Sequence, residues 1–106
     1  MHSRSYTWAD PKRTAEAGQS MAGIDYLRAM MNGELPQCSY QQTMDYDLVE
    51  VAQGRVVFAG RPQEFMLNPL GTVHGGHFAG MLDSAMGCAI HSLLRAGQFY
   101  TTLEIK

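Results

Sequence analysis

The sequence is short of several things, and each shortage closes off a class of protein. Two cysteines in 106 residues, Cys38 and Cys88, are too few for a disulfide framework. Cys88 lies in an apolar run, where a buried free thiol is the plain reading, and a reducing, cytoplasmic setting is the expectation. No apolar run approaches the ~18–20 residues of a membrane span. The opening "MHSRSYTWADPKR" scatters charges through any signal-peptide core, so no membrane partner is expected. There is no basic excess either: the formal net charge is −2, which does not suit a surface that tracks phosphates, and nucleic acid is not an expected partner. Repeats and low-complexity tracts are lacking as well.

What is present is enough apolar material for one core. Hydrophobic residues make up 45% of the chain against 17% charged, so composition places it among single globular domains. Residues 1–11 read as an N-terminal tail, loose over its first nine residues, and 12–106 as the domain. Asp10-Pro11 is a helix-start signal, with Asp as N-cap and Pro at the first helical position. Met21, Ile24, Leu27, Met30 and Met31 then recur at spacings of three and four. A helix is predicted near 12–32, broken around Gly18, with Asn32-Gly33 as its stop. Met44, Tyr46 and Leu48 alternate with polar neighbours, Gln53-Gly54 makes a turn, and "RVVFAG" follows, which predicts a hairpin over 42–60. "RPQEFMLNPLGT" reads as a connection. From His77 to Leu94 the pattern is helical and apolar on nearly every side, the mark of a buried helix. "FYTTLEIK" alternates strictly and predicts a strand with Phe99, Thr101, Leu103 and Ile105 facing the core. The class is α+β, with an antiparallel sheet wrapped around a long central helix. Three strands are few for that covering, so the chain is expected to be cut short of its natural fold.

The chemistry concentrates in "NPLGTVHGGHFAGMLDSAMGC". Gly75 and Gly76 stand where the apolar helix begins, and the first N–H groups of a helix lack internal partners. Glycine lets a ligand approach that backbone closely, so the pair suits an oxyanion hole. Asp83 falls among Met81, Leu82, Ala85 and Met86, an apolar setting for a carboxylate. It is a candidate base or nucleophile, against the plainer reading of an Asp bonded at the helix edge. Gly75 and Asp83 are eight residues apart, ~12 Å along a helix, too far to share one carbonyl within one chain. If both act on one substrate, they come from two subunits of a twofold dimer with antiparallel helices. Asn68, before a proline, is a candidate to orient the substrate or water, or simply starts a turn. Thr101 could hold a water or be satisfied by backbone. His74 either touches ligand or bonds backbone and shapes the glycine turn. His91 reads as a helix-end residue. His74, His77, Asp83 and His91 complete no known metal-ligand spacing, and no metal is expected.

These residues resemble the motif of hotdog-fold acyl-CoA thioesterases, in the PaaI-like branch of the 4-hydroxybenzoyl-CoA thioesterase superfamily. "NGELP", "GRVVF" and "YTTLEIK" add to the resemblance, which covers about residues 20–106. It implies a partial hotdog domain whose later strands are missing, and hydrolysis of a thioester to acid and coenzyme A. Gly75 N–H would polarise the thioester carbonyl, Asn68 would orient thioester or water, and Asp83 of the neighbouring subunit would attack or activate water. Thr101 would stand beside that carboxylate, and His74, Gly76 and Thr102 would bind substrate. No cofactor is implied, since coenzyme A enters as part of the substrate. The family forms homodimers that often pair into homotetramers. The rival readings are a hotdog hydratase or dehydratase, and a non-catalytic acyl-CoA-binding or truncated subunit.

Overall fold

A computed structural model describes all 106 residues. Four helices and one hairpin follow one another as α1 (Pro11–Gly18), α2 (Gly23–Met31), α3 (Ser39–Met44), β1 (Tyr46–Ala52), β2 (Arg55–Gly60) and α4 (Gly75–His91), with a 3-10 turn at Glu64–Met66 before α4. The architecture is α+β: a two-stranded antiparallel sheet and one long helix near the C-terminal end. No helix is long and apolar enough to cross a membrane.

Local chemistry explains the boundaries. The Asp10 carboxylate accepts from the Lys12 N–H at 3.0 Å with Pro11 at the first helical position, so α1 starts where the sequence predicts. The predicted break at Gly18 separates α1 from α2. Gly23 opens α2 hard against the end of α4: its N–H donates to the Leu94 carbonyl at 2.9 Å, and a Cβ there would lie 1.7 Å from the His91 carbonyl oxygen. Only glycine allows this approach.

The hairpin pairs Tyr46 with Gly60, Leu48 with Phe58 and Val51 with Val56. A bulge between Leu48 and Glu50 shifts the alternation by one residue. Tyr46 and Leu48 face inward, Val49 and Glu50 face solvent, and Val51 turns back toward the core. Leu27 and Met30 of α2 and Leu48 of β1 form the fully buried centre, with Tyr26, Val56, Phe58 and Cys88 packed around it.

Four expectations are corrected. The hairpin does not begin at residue 42: residues 39–44 form α3, and Asp45 ends it in the left-handed region (φ 55°) before β1 starts. Tail residues 1–9 have no regular structure, yet they are held. The Arg4 guanidinium pairs with Asp45 at 3.1 Å and lies over the Phe65 ring, and the Ser39 hydroxyl donates to the Ala9 carbonyl at 2.9 Å. α4 is not buried on all sides. Two strands cover one side of it only, and Phe78, Leu82, Met86 and Ile90, one turn apart, are each more than half exposed. Residues 99–106 form no strand and pair with neither strand of the hairpin.

Candidate functional site

A cavity of about 670 Å³ runs between α2, the segment 37–41, α4 and the C-terminal segment. Its size is that of a small-molecule pocket. Helix α2 contributes Tyr26, Leu27 and Met30. Helix α4 contributes Gly76, Gly80, Asp83, Ser84, Cys88 and His91, and the C-terminal segment closes one side with Phe99, Tyr100 and Ile105. Asp83 is the only Asp, Glu, Lys or Arg on this wall. Burial favours the neutral forms of four other ionisable groups there. Burial pushes the Cys88 thiol up to about 11, partly offset by its hydrogen bond with Tyr100. Burial likewise raises Tyr26 and Tyr100 and lowers His91. A lone carboxylate in a neutral, half-apolar hollow is an arrangement suited to proton transfer or nucleophilic attack.

Asp83 has one partner. The Thr102 hydroxyl donates to its Oδ1 at 2.6 Å, and Oδ2 has no hydrogen bond within the chain. Strict alternation puts Thr101 on the core side; the structure brings Thr102 to the carboxylate instead, and Thr101 is exposed. The parity of a strand cannot govern a segment that is not a strand. Tyr100 anchors this segment. Its hydroxyl lies where a Cβ on Gly87 would be, 2.3 Å away, so the absence of a side chain at Gly87 admits the ring against the helix.

The start of α4 is built by His74. As N-cap, its Nδ1 accepts from the Gly76 N–H at 2.8 Å, and its carbonyl accepts from the His77 N–H at 2.9 Å. Of the two glycine amides, Gly76 is thereby occupied. The Gly75 N–H makes no hydrogen bond within the chain, and no heavy atom lies within 4 Å of where its Cβ would be. Gly75 faces open space while carrying the partial positive charge of a helix start.

Asn68 is committed to its own loop. Its Oδ1 accepts from the N–H groups of Leu70 (2.9 Å) and Thr72 (3.2 Å), and its Nδ2 donates to the Thr72 hydroxyl at 2.8 Å. It lies off the cavity wall. No three His, Cys, Asp or Glu side chains converge anywhere in the chain. Tyr46, Tyr100 and His91 gain parts that the sequence did not reveal. Tyr46 Oη lies 2.8 Å from Ser84 Oγ beside Asp83, and Tyr100 and His91 both line the cavity. Only the spacing of His91, two turns beyond Asp83, could have linked it to the site.

Residues 70–106 match the family model described as Thioesterase superfamily. The matched stretch holds all of α4, with Gly75, Gly76 and Asp83, and the segment carrying Thr101 and Thr102; Asn68 lies just outside it. At the level of that family, the match points to thioesterase-type hydrolysis. No curated protein and no solved structure matched the chain.

Proposed function

We propose that this chain hydrolyses an acyl-CoA thioester to free acid and coenzyme A in a site shared between two subunits. The observation that carries the reading is one helix holding two unlike groups. Gly75 offers an unoccupied amide in the open, and Asp83 offers the single carboxylate on the cavity wall. They lie eight residues apart on α4, ~12 Å along its axis, so one thioester cannot meet both in one chain. A partner helix running antiparallel sets Gly75 of one subunit opposite Asp83 of the other, twice. The exposed apolar stripe at Phe78 and Leu82 lies between those levels and offers the face on which two such helices would meet.

In that arrangement the amide stabilises the oxyanion of the tetrahedral intermediate. The free Oδ2 of Asp83 either takes a proton from a water that attacks the carbonyl, or attacks the carbonyl itself to give a mixed anhydride that water then cleaves at the aspartyl carbon, releasing the acid; in both routes the coenzyme A thiolate leaves and is protonated. Single turnover in heavy-oxygen water separates these routes: label enters Asp83 only if it attacks.

The deciding experiment uses two variants. Gly75→Pro removes the amide hydrogen at a helix position where proline is tolerated, after a His74 already extended (φ −60°, ψ 134°). Asp83→Asn removes the carboxylate charge. Each should lower acyl-CoA hydrolysis, read as thiol release, by about 10²–10³-fold with the helical circular dichroism unchanged. Mixing the two should restore about a quarter of wild-type activity: half the dimers are mixed, and each mixed dimer has one intact site of two. Mixtures as dead as their parents would exclude a shared site.

A further inference from the structure

We infer that the N-terminal tail and α3 form a second, aromatic subsite for a purine ring, and that it takes the adenine of coenzyme A. The inference rests on the thioesterase reading for the identity of the ligand. It stands otherwise on residues outside the stretch, 70–106, that matches the family.

Tyr6, Trp8, Ser39, Tyr40 and Thr43 line an open cleft of about 360 Å³. Its wall is three aromatic rings and two hydroxyl residues, with no long aliphatic side chain and no charge. The rings are about half exposed, Tyr6 at 52%, Trp8 at 59% and Tyr40 at 48%, so each presents surface to a ligand. The tail is fixed beside α3. The Ala9 N–H donates to Gln42 Oε1 at 3.0 Å, and the Ala9 carbonyl accepts from the Ser39 hydroxyl, which holds Trp8 in place. Flat polar rings such as nucleobases stack on exposed aromatic side chains, whereas an alkyl chain finds no aliphatic partner here. A cationic ligand is disfavoured, because the Arg4 guanidinium already lies over the Tyr6 ring at 5.0 Å.

The cleft adjoins the cavity that holds Asp83, since Ser39 and Tyr40 line both. Tyr40 reaches across: its hydroxyl lies 2.7 Å from where a Cβ on Gly80 would be, one turn before Asp83 on α4. The chain also passes from cleft to cavity, from Trp8 to Pro11 and Thr14, and carries the exposed Lys12 and Arg13 on the way. Coenzyme A thioesters have the same order of parts: a thioester, a long arm, a diphosphate and a base. With the thioester at Asp83, the arm leaves past Tyr40 and the base stacks on Trp8. Two cations then stand on the stretch of chain that joins the two hollows, the side on which a diphosphate is favoured.

Trp8 is the only tryptophan, so its fluorescence reads the cleft alone and does not depend on hydrolysis. The full chain would be titrated with coenzyme A, adenosine 3′,5′-bisphosphate, pantetheine and pyrophosphate. The first two should quench the signal and the last two should not. In calorimetry, Trp8→Ala should weaken coenzyme A binding by about tenfold, the worth of one base stacked on an aromatic ring. Trp8→Phe, which keeps a ring, should recover most of that loss. The subsite is overturned by the absence of a quench with either adenine ligand, or by an equal quench with pantetheine or pyrophosphate. Equal coenzyme A affinity in wild type and Trp8→Ala, or a Trp8→Phe as weak as Trp8→Ala, would overturn it too. Asp83→Asn separates the two ideas: it should cripple hydrolysis and leave the quench intact. A quench in a wild type that hydrolyses no thioester would sink the thioesterase reading and keep the subsite; hydrolysis without a quench would do the reverse.

Discussion

Residues 46–60 and residues 99–106 both alternate apolar and polar side chains, and they end in opposite states. In the hairpin, Leu48 stands opposite Phe58 across a hydrogen-bonded ladder and is 3% exposed. In the C-terminal segment, Leu103 is 93% exposed and no ladder forms. The hairpin brings its own partner two residues after its first strand ends, so local chemistry completes it. The C-terminal segment has no such neighbour. It is held by side chains instead, through Tyr100 against Gly87 and Thr102 on Asp83. A two-residue rhythm is a readiness to pair, and burial follows only where a second edge is within reach.

One pair of like substitutions breaks this comparison most sharply. Leu48→Ala should cost about 3 kcal/mol, as a leucine removed from the packed centre between Leu27 and Met30. Leu103→Ala should stay within about 0.5 kcal/mol, as for other substitutions that touch no packed surface. Urea midpoints at constant slope read both. A large cost at Leu103 would mean that residues 99–106 are packed as a strand in solution, against another chain or another edge.

The same contrast marks where sequence reasoning reaches and where it stops. The cap at Asp10, the break near Gly18, the Gln53-Gly54 turn and the run of α4 rest on contacts within a few residues, and such contacts are legible in a string of letters. α3 was missed because six residues ended by a left-handed Asp45 carry no apolar period long enough to see. The all-round burial predicted for α4 failed because an apolar circumference records what a helix can cover, and a two-stranded sheet covers one side. In the candidate site, Gly75 and Asp83 are readable as a helix start and an isolated carboxylate. The occupation of Gly76 by His74, the loop that consumes Asn68 and the exchange of Thr101 for Thr102 depend on geometry between segments. His91 was legible as a helix end and illegible as a wall of the cavity, since Tyr26 and Tyr100 reach it from distant parts of the chain.

A smaller effect sharpens the comparison from the side of α4. Burial depresses His91 below its ordinary 6.5, so the folded state holds it neutral while the unfolded chain takes up a proton. Its contribution is therefore present above pH 6.5 and is lost as pH falls below that value, at no more than about 1.4 kcal/mol per pH unit. The rings nearest it, Tyr26, Phe99 and Tyr100, carry no charge in this range. His91→Gln should flatten this part of the acid limb of a stability–pH curve. An unchanged limb would mean that the C-terminal segment, which supplies two of those three rings, does not shield His91 in solution.

The smallest expected effect separates two adjacent threonines. Thr102 donates to Asp83 Oδ1 at 2.6 Å, a charge-assisted bond on an exposed edge, whereas Thr101 faces solvent. Thr102→Val should cost less than about 1 kcal/mol of stability, because water replaces the lost hydroxyl at an exposed position. Its clearer signature is local. With the bond gone, the backbone from Phe99 onward keeps only the Tyr100 anchor, and ¹⁵N relaxation should report faster motion there and none in the hairpin. Thr102→Ser should restore both the order of the segment and the orientation of the carboxylate, and with it any hydrolysis lost in the valine variant. Thr101→Val should leave all three unchanged. If Thr101→Val loosens the segment and Thr102→Val does not, the alternation of "FYTTLEIK" governs after all, and the segment pairs in solution as its rhythm first implied.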